Sequence, residues 1–350
     1  MSMIAETKQT EDGLILSDGR GLTTSVPVDF LGRNPPSWQA RRASALIRKL
    51  IRQPLSRITG LDNASVRRVR FLFGATLLFQ WLRTYGLHIE PVHEGVVYGE
   101  WVEPENPRPG ALLYVHGGAY VACSPVTHRP ITAALTRLTG LPVFSLHYRR
   151  APDHLYPAAL IDTIAAYGWL FRRLKKQGLD ERSLVLAGDS AGGGLILGAL
   201  LCLRDAGQMK TAACAVCFSP LTDMTDSGES VQRSDESCAM FRKENIAQCA
   251  RAYFGNMTAS EAKYASPALM KKLDGLPPIL MQVSSTEFLR PDAFQVHKKI
   301  FEERGNSKLE DFGDVPHCWQ LLDGFVPEAR VALEHAAAFI RDHTLPCITS

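Results

Sequence analysis

Past about Glu94 the chain alternates between two textures. Short apolar runs such as "ALLYV", "PVFSL", "SLVLAG", "ACAVCF" and "PPILMQV" are separated by longer stretches with apolar residues at helical spacing. Runs of that length without polar alternation fit strands buried on both faces. Helices are predicted from about Pro130 to Thr139, Asp162 to Lys176, Ala191 to Asp205, Asp292 to Arg304 and Pro327 to Arg341. "GVVYGEWV" before them and "SKLEDFG" near the end complete the strands. Strand and helix in regular alternation predict an α/β fold, a mostly parallel sheet with helices on both faces.

Two regions break the alternation. In the first ninety residues, Ser37 after "NPPS" can cap a helix from Trp38 to about Ile51, and a second helical stretch runs from about Ser65 to Tyr85. Between about Leu221 and Ser266 a polar loop, "LTDMTDSGESVQRSDES", precedes a helical stretch, "FRKENIAQCARAYFG". Insertions of this kind lie over the carboxyl edge of the sheet, where ligands bind. The expected organisation is N-terminal cap helices over 1–90 and a catalytic domain over 91–350 with a cap insert at 221–266.

Composition changes this picture little. A 350-residue chain with 39 cations and 36 carboxylates has too small a net charge to point to nucleic acid. The eight cysteines lack framework spacing, which suits reduced thiols in a cytoplasmic protein. Cys214 and Cys217 form a CxxC inside a strand-like run, with no second pair to complete a metal site. The amino-terminal residues are polar and mixed in charge, unlike a secretory signal. The basic residues between Arg41 and Arg70 read as a solvated helical face, or as a surface set against anionic membrane.

Candidate chemistry gathers at the strand ends. Gly188-Asp189-Ser190-Ala191-Gly192 joins an apolar strand to an apolar helix, the Gly-x-Ser-x-Gly setting of a nucleophile elbow. A phosphate-binding loop would need a lysine where Leu195-Ile196-Leu197 stand. "YVHGGAYV" follows another buried strand, and its glycines leave backbone N–H groups unscreened. The amides of Gly117, Gly118 and Ala191 are therefore candidate oxyanion donors, with His116 bracing the loop. A serine needs a base, and the chain order of this fold class puts it late. His335 and His343 fall on the last helix, which leaves His317 in "GDVPHCWQL". For the acid, "SSTEFLRPDAF" offers Glu287, soon after its strand, and Asp292, an early helix position favoured by the dipole alone.

"HGGAY", "YRRAPDHLYPAAL", "GDSAGG", "SSTEFLRPD" and "PHCWQ" occur in that order. From Leu112 to its end the chain resembles the hormone-sensitive-lipase-like carboxylesterases of the α/β-hydrolase fold, a group that includes arylacetamide deacetylases. The resemblance implies an eight-stranded, mostly parallel sheet under a helical cap. It implies hydrolysis of carboxylic esters of short or medium acyl chains, without a cofactor or metal. It places the nucleophile on Ser190, the acid on Glu287, the base on His317 and the oxyanion donors on Gly117, Gly118 and Ala191. Tyr148 to Pro157 matches a segment that supports the active-site floor. Ala119 replaces the third glycine of the usual HGGG, and glutamate replaces the commoner aspartate.

The expected partner is a small ester. Lipase, lactonase or amidase activity on the same triad, and a non-catalytic ligand receptor on the same scaffold, are the competing readings. Peripheral lipid contact through the basic N-terminal helices and a homodimer are left open.

Overall fold

The computed structural model describes residues 6–10, 13–17, 23–26, 28–32, 35–58, 60, 63–74, 83–209, 212–225, 237–258 and 261–344. Near the N-terminus, β1 (Glu6–Thr10), β2 (Gly13–Ser17) and β3 (Thr23–Val26) form a small antiparallel sheet. The main sheet contains β4 (Phe30–Leu31), β5 (His88–Glu94), β6 (Val97–Glu103), β7 (Ala111–Val115) and β8 (Val143–Leu146). It continues with β9 (Leu184–Asp189), β10 (Cys214–Phe218), β11 (Ile279–Val283) and β12 (Ser307–Asp311). The spatial order is β4-β12-β11-β10-β9-β7-β8-β6-β5. Pairing is parallel from β4 to β8 and antiparallel at β8–β6 and β6–β5.

The apolar runs are strands because each faces helices on two sides. Leu113 and Val115 of β7 pack into the core beneath helices Ala158–Lys176 and Ala191–Asp205. Leu112 and Tyr114 pack into a second core beneath helices Arg129–Thr139 and Pro327–His343. The same alternation separates Cys214 from Cys217, which enter different cores as free thiols. Residues three apart on a strand point to opposite faces, so this CxxC cannot close on one metal ion.

Two expectations are corrected. The sheet has nine strands rather than eight. The ninth, β4, is held to β12 by Asp29, whose N–H donates to the Leu309 carbonyl and whose carboxylate accepts from the Leu309 N–H, both at 2.8 Å. A two-residue strand has no periodicity to read. The first ninety residues are also not helices alone, because Phe30–Leu31 and the start of β5 belong to the main sheet. Pro91 and the charged residues of β5 disguise an edge strand, where the ladder tolerates them.

Helix Trp38–Ile47 starts where the Ser37 hydroxyl accepts from the Ala40 N–H, and a π-turn, Arg48–Arg52, extends it. A helix over Asn63–Gly74 follows; the expected continuation over 75–82 lies outside the described residues. So do 226–236 and 259–260 of the insert, whose helix spans Lys243–Phe254. The N-terminal helices are tied to this insert. Arg48 donates to the Ser237 carbonyl at 3.1 Å, and the Gln248 amide donates to the Ile58 carbonyl at 3.1 Å. Among the described residues no helix is long and apolar enough to cross a membrane.

Candidate active site

Four loops leave the carboxyl ends of β7, β9, β11 and β12, and each carries a sequence-predicted residue. Ser190 stands between β9 and the helix that follows, at φ 49° and ψ −120°, a backbone conformation that L-residues rarely hold. Both of its backbone groups are pinned. Its N–H donates to the Phe218 carbonyl at 2.8 Å, and its carbonyl accepts from the Leu221 N–H at 2.9 Å. The surrounding glycines make room for this. A Cβ on Gly192 would lie 1.9 Å from the Val115 carbonyl oxygen, and one on Gly188 2.7 Å from the same atom. The helix after Ser190 therefore starts against the end of β7, and only glycine permits that approach.

Gly192→Ala is expected to destabilise the protein by about 3 kcal/mol. Gly168→Ala, whose Cβ would meet only the mobile end of Arg172, is expected to stabilise its helix by about 0.5–1 kcal/mol. Denaturant midpoints of the two variants check this. Equal midpoints would contradict the close approach.

The loops that carry Glu287 and His317 are joined to each other. The Ser284 hydroxyl reaches the Gly313 and Val315 carbonyls at 2.9 and 2.6 Å, and the Ser285 N–H donates to the Gly313 carbonyl at 2.8 Å. Glu287 accepts from the Ser284 N–H through Oε1 at 2.9 Å, and its Oε2 lies 2.6 Å from His317 Nδ1. Both side chains are buried. Of the two acid candidates, the structure brings Glu287 to the histidine, while Asp292 sits in the first turn of helix Arg290–Glu302. His317 Nε2 is buried with no hydrogen-bond partner among the described residues. His317 and Ser190 line one cavity of about 310 Å³.

The loop after β7 requires a correction. The Gly117 N–H donates to Asp189 Oδ1 at 2.9 Å, so it cannot also serve a substrate oxygen. A Cβ at Gly117 would sit 2.3 Å from the same carboxylate, so glycine is needed there for Asp189. The amides of Gly118, Ala119 and Ala191 have no acceptor among the described residues. Ala119 is held at φ 52°, which turns the loop at that point.

Sequence reasoning missed the centre of this arrangement. Asp189 is buried and receives the Tyr114 hydroxyl at 2.7 Å, the Gly117 amide at 2.9 Å and His128 Nε2 at 3.1 Å. Burial opposes its ionisation, but His128, Tyr114 and Gly117 outweigh that and hold its pKa down at about 2. The signal was available, since a carboxylate beside a serine at the end of a buried strand has to find donors.

His116 braces the loop, as expected. Its Nδ1 lies 2.7 Å from the Gly117 carbonyl and its ring stacks on Tyr148 at 4.3 Å. Burial, followed by the neighbouring His128, lowers its pKa well below the ordinary histidine range, so it stays uncharged. The Tyr148 segment supports the floor. The Tyr148 hydroxyl donates to the His116 carbonyl at 3.0 Å, Arg149 pairs with Asp162, and Arg150 donates to the Cys123 carbonyl.

The cavity wall above the serine is apolar. It draws Ile47, Ile51 and Phe73 from the N-terminal helices, Met240 and Phe241 from the insert, and Leu321 from the loop that carries His317. The Phe241 ring meets His317 edge-on at 5.3 Å. Such walls exclude water and strengthen the electrostatics within.

An alpha/beta hydrolase fold family matches residues 112–321. An acetyl-hydrolase of Streptomyces hygroscopicus is 39% identical over 245 residues, 70% of this chain and 80% of that protein. An esterase of Acinetobacter venetianus is 28% identical over 253 residues, covering 72% and 82%. Among solved structures, an esterase from the bacterial hormone-sensitive lipase family superposes with a TM-score of 0.76 at 32% identity, covering 88% of this chain and 98% of that one.

Proposed function

The chain belongs to the alpha/beta hydrolase fold family and is a carboxylic-ester hydrolase, and we propose that it works through an acyl-enzyme on Ser190. One observation carries this reading: His317 is held at Nδ1 by Glu287, while its Nε2 has no partner among the described residues and the ring lines the cavity that Ser190 also lines. With the Nδ1 proton donated to Glu287, the neutral ring keeps its lone pair on Nε2. That atom takes the Ser190 proton as Oγ attacks the ester carbonyl. Glu287 offsets the imidazolium charge that results. The oxyanion meets the amides of Gly118, Ala119 and Ala191, Gly117 being committed to Asp189. His317 returns the proton to the departing alcohol, and a water repeats the sequence on the acyl-enzyme.

The N-terminal helices and the insert form the cap, because both supply the apolar wall over Ser190. A cavity of about 310 Å³ fits short to medium acyl chains. The test is labelling with a fluorophosphonate, together with turnover of p-nitrophenyl esters from acetate to palmitate. The label is expected on Ser190 alone, and turnover is expected to fall for the longest chains. A label mapped to another residue would falsify the nucleophile assignment, and a maximum at palmitate would refute the chain-length reading.

A further inference from the structure

The helices that wall the cavity carry apolar side chains on their outer faces as well. Ile47 and Ile51 face the cavity, while Leu46 and Leu50 are 57% and 56% exposed. Phe73 faces the cavity, and Phe71, two residues earlier on its helix, is 79% exposed. Phe325 lines the cavity and is still 64% exposed. Single exposed apolar residues are ordinary, but a group around one opening marks an interaction surface.

Charge identifies the partner. Residues 35–74 contain nine cations and one carboxylate, Asp62, in a chain that otherwise carries more carboxylates than cations. Arg42, Lys49, Arg57, Arg67 and Arg68 are exposed, and none has a carboxylate partner among the described residues. Arg57, Arg67 and Arg68 also surround an open cavity of about 620 Å³ whose wall includes Phe71 and Leu72. Cations beside exposed apolar side chains match the boundary between anionic headgroups and acyl chains.

We propose that this surface docks the enzyme on anionic lipid, with the mouth of the Ser190 cavity turned toward the acyl layer. An acidic protein would meet the same charges. It would leave unexplained why the exposed apolar residues neighbour the residues lining the cavity through which the ester enters. The docking stands on the surface alone, and its use in hydrolysis rests on the esterase reading.

The Ser190→Ala chain separates the two, since it binds without turnover. It is expected to co-sediment with phosphatidylglycerol/phosphatidylcholine vesicles, and about ten-fold less with phosphatidylcholine alone or in high salt. Arg67→Glu/Arg68→Glu and Leu46→Ser/Leu50→Ser should each lower vesicle binding about ten-fold. In the active chain, the same pairs should leave turnover of soluble p-nitrophenyl acetate unchanged, which shows that they fold. No vesicle binding, or binding indifferent to both pairs, overturns the proposal. A dimer broken by the leucine pair, without vesicle binding, would assign the surface to a second copy instead.

Discussion

Ser190→Ala is expected to lower kcat by about 10⁴-fold or more, with KM little changed. The hydroxyl is the only group lost, and the proposed oxyanion amides and the apolar wall remain. His317→Ala should cost about as much, and the double variant little more than either, because in the proposed mechanism the two act as one unit, nucleophile and base. Additive losses would mean that the two residues serve separate steps. Stability should move in the opposite direction at this position. Ser190 is held at φ 49° by hydrogen bonds to Phe218 and Leu221. Alanine inherits that strain, and glycine relieves it. Ser190→Gly is therefore expected to be about 1 kcal/mol more stable than Ser190→Ala, while equally inactive. Denaturation curves of the two variants, run beside the ester assay, check both halves.

The fold was legible wherever a strand is buried on both faces. β7, β8, β9, β10 and β11 announce themselves as apolar runs, and the helices between them carry their periodicity openly. β4 and β5 were not legible. One is too short to have a pattern, and the other lies at an edge where polar residues and Pro91 are tolerated. Ser190, Glu287 and His317 could be singled out as candidates because motif, strand end and chain order restrict each of them separately, and the structure brings Glu287 to His317 and puts His317 and Ser190 on one cavity. The three-dimensional commitments of the backbone could not be read that way. Gly117 and Gly118 look equivalent in "HGGAY", and only the position of the Asp189 carboxylate shows that the first amide is already engaged. His128 comes from a short turn in no motif, yet its ring reaches Asp189. Contacts between loops that share no periodicity leave no trace in a single sequence.

Those contacts make Asp189 the second position of large effect. Its carboxylate joins the end of β9 to the loop after β7 through Gly117, to β7 itself through Tyr114, and to the turn that follows through His128. Asp189→Ala should cost about 3–5 kcal/mol, because it leaves the Gly117 amide and His128 buried without their partner. Asp189→Asn keeps one acceptor oxygen and should cost less. The pH dependence identifies the cause. The folded pKa of about 2 lies below the ordinary 3.8. The ionised form therefore contributes stability above about pH 4, of the order of 2.5 kcal/mol. That contribution is lost as pH falls through about 2, where the wild-type group is also neutral. The stability gap between wild type and Asp189→Asn should accordingly be full near pH 7 and narrow toward pH 2. A gap constant across that range would show that shape, not charge, holds the cluster. At neutral pH, where Asp189→Asn remains folded, its kcat is expected to fall about 10²-fold, the loss typical of one misplaced oxyanion donor. Fluorophosphonate labelling of Ser190 should slow in proportion. Labelling at the wild-type rate would mean that the carboxylate only supports the fold and does not position the amides that meet the oxyanion.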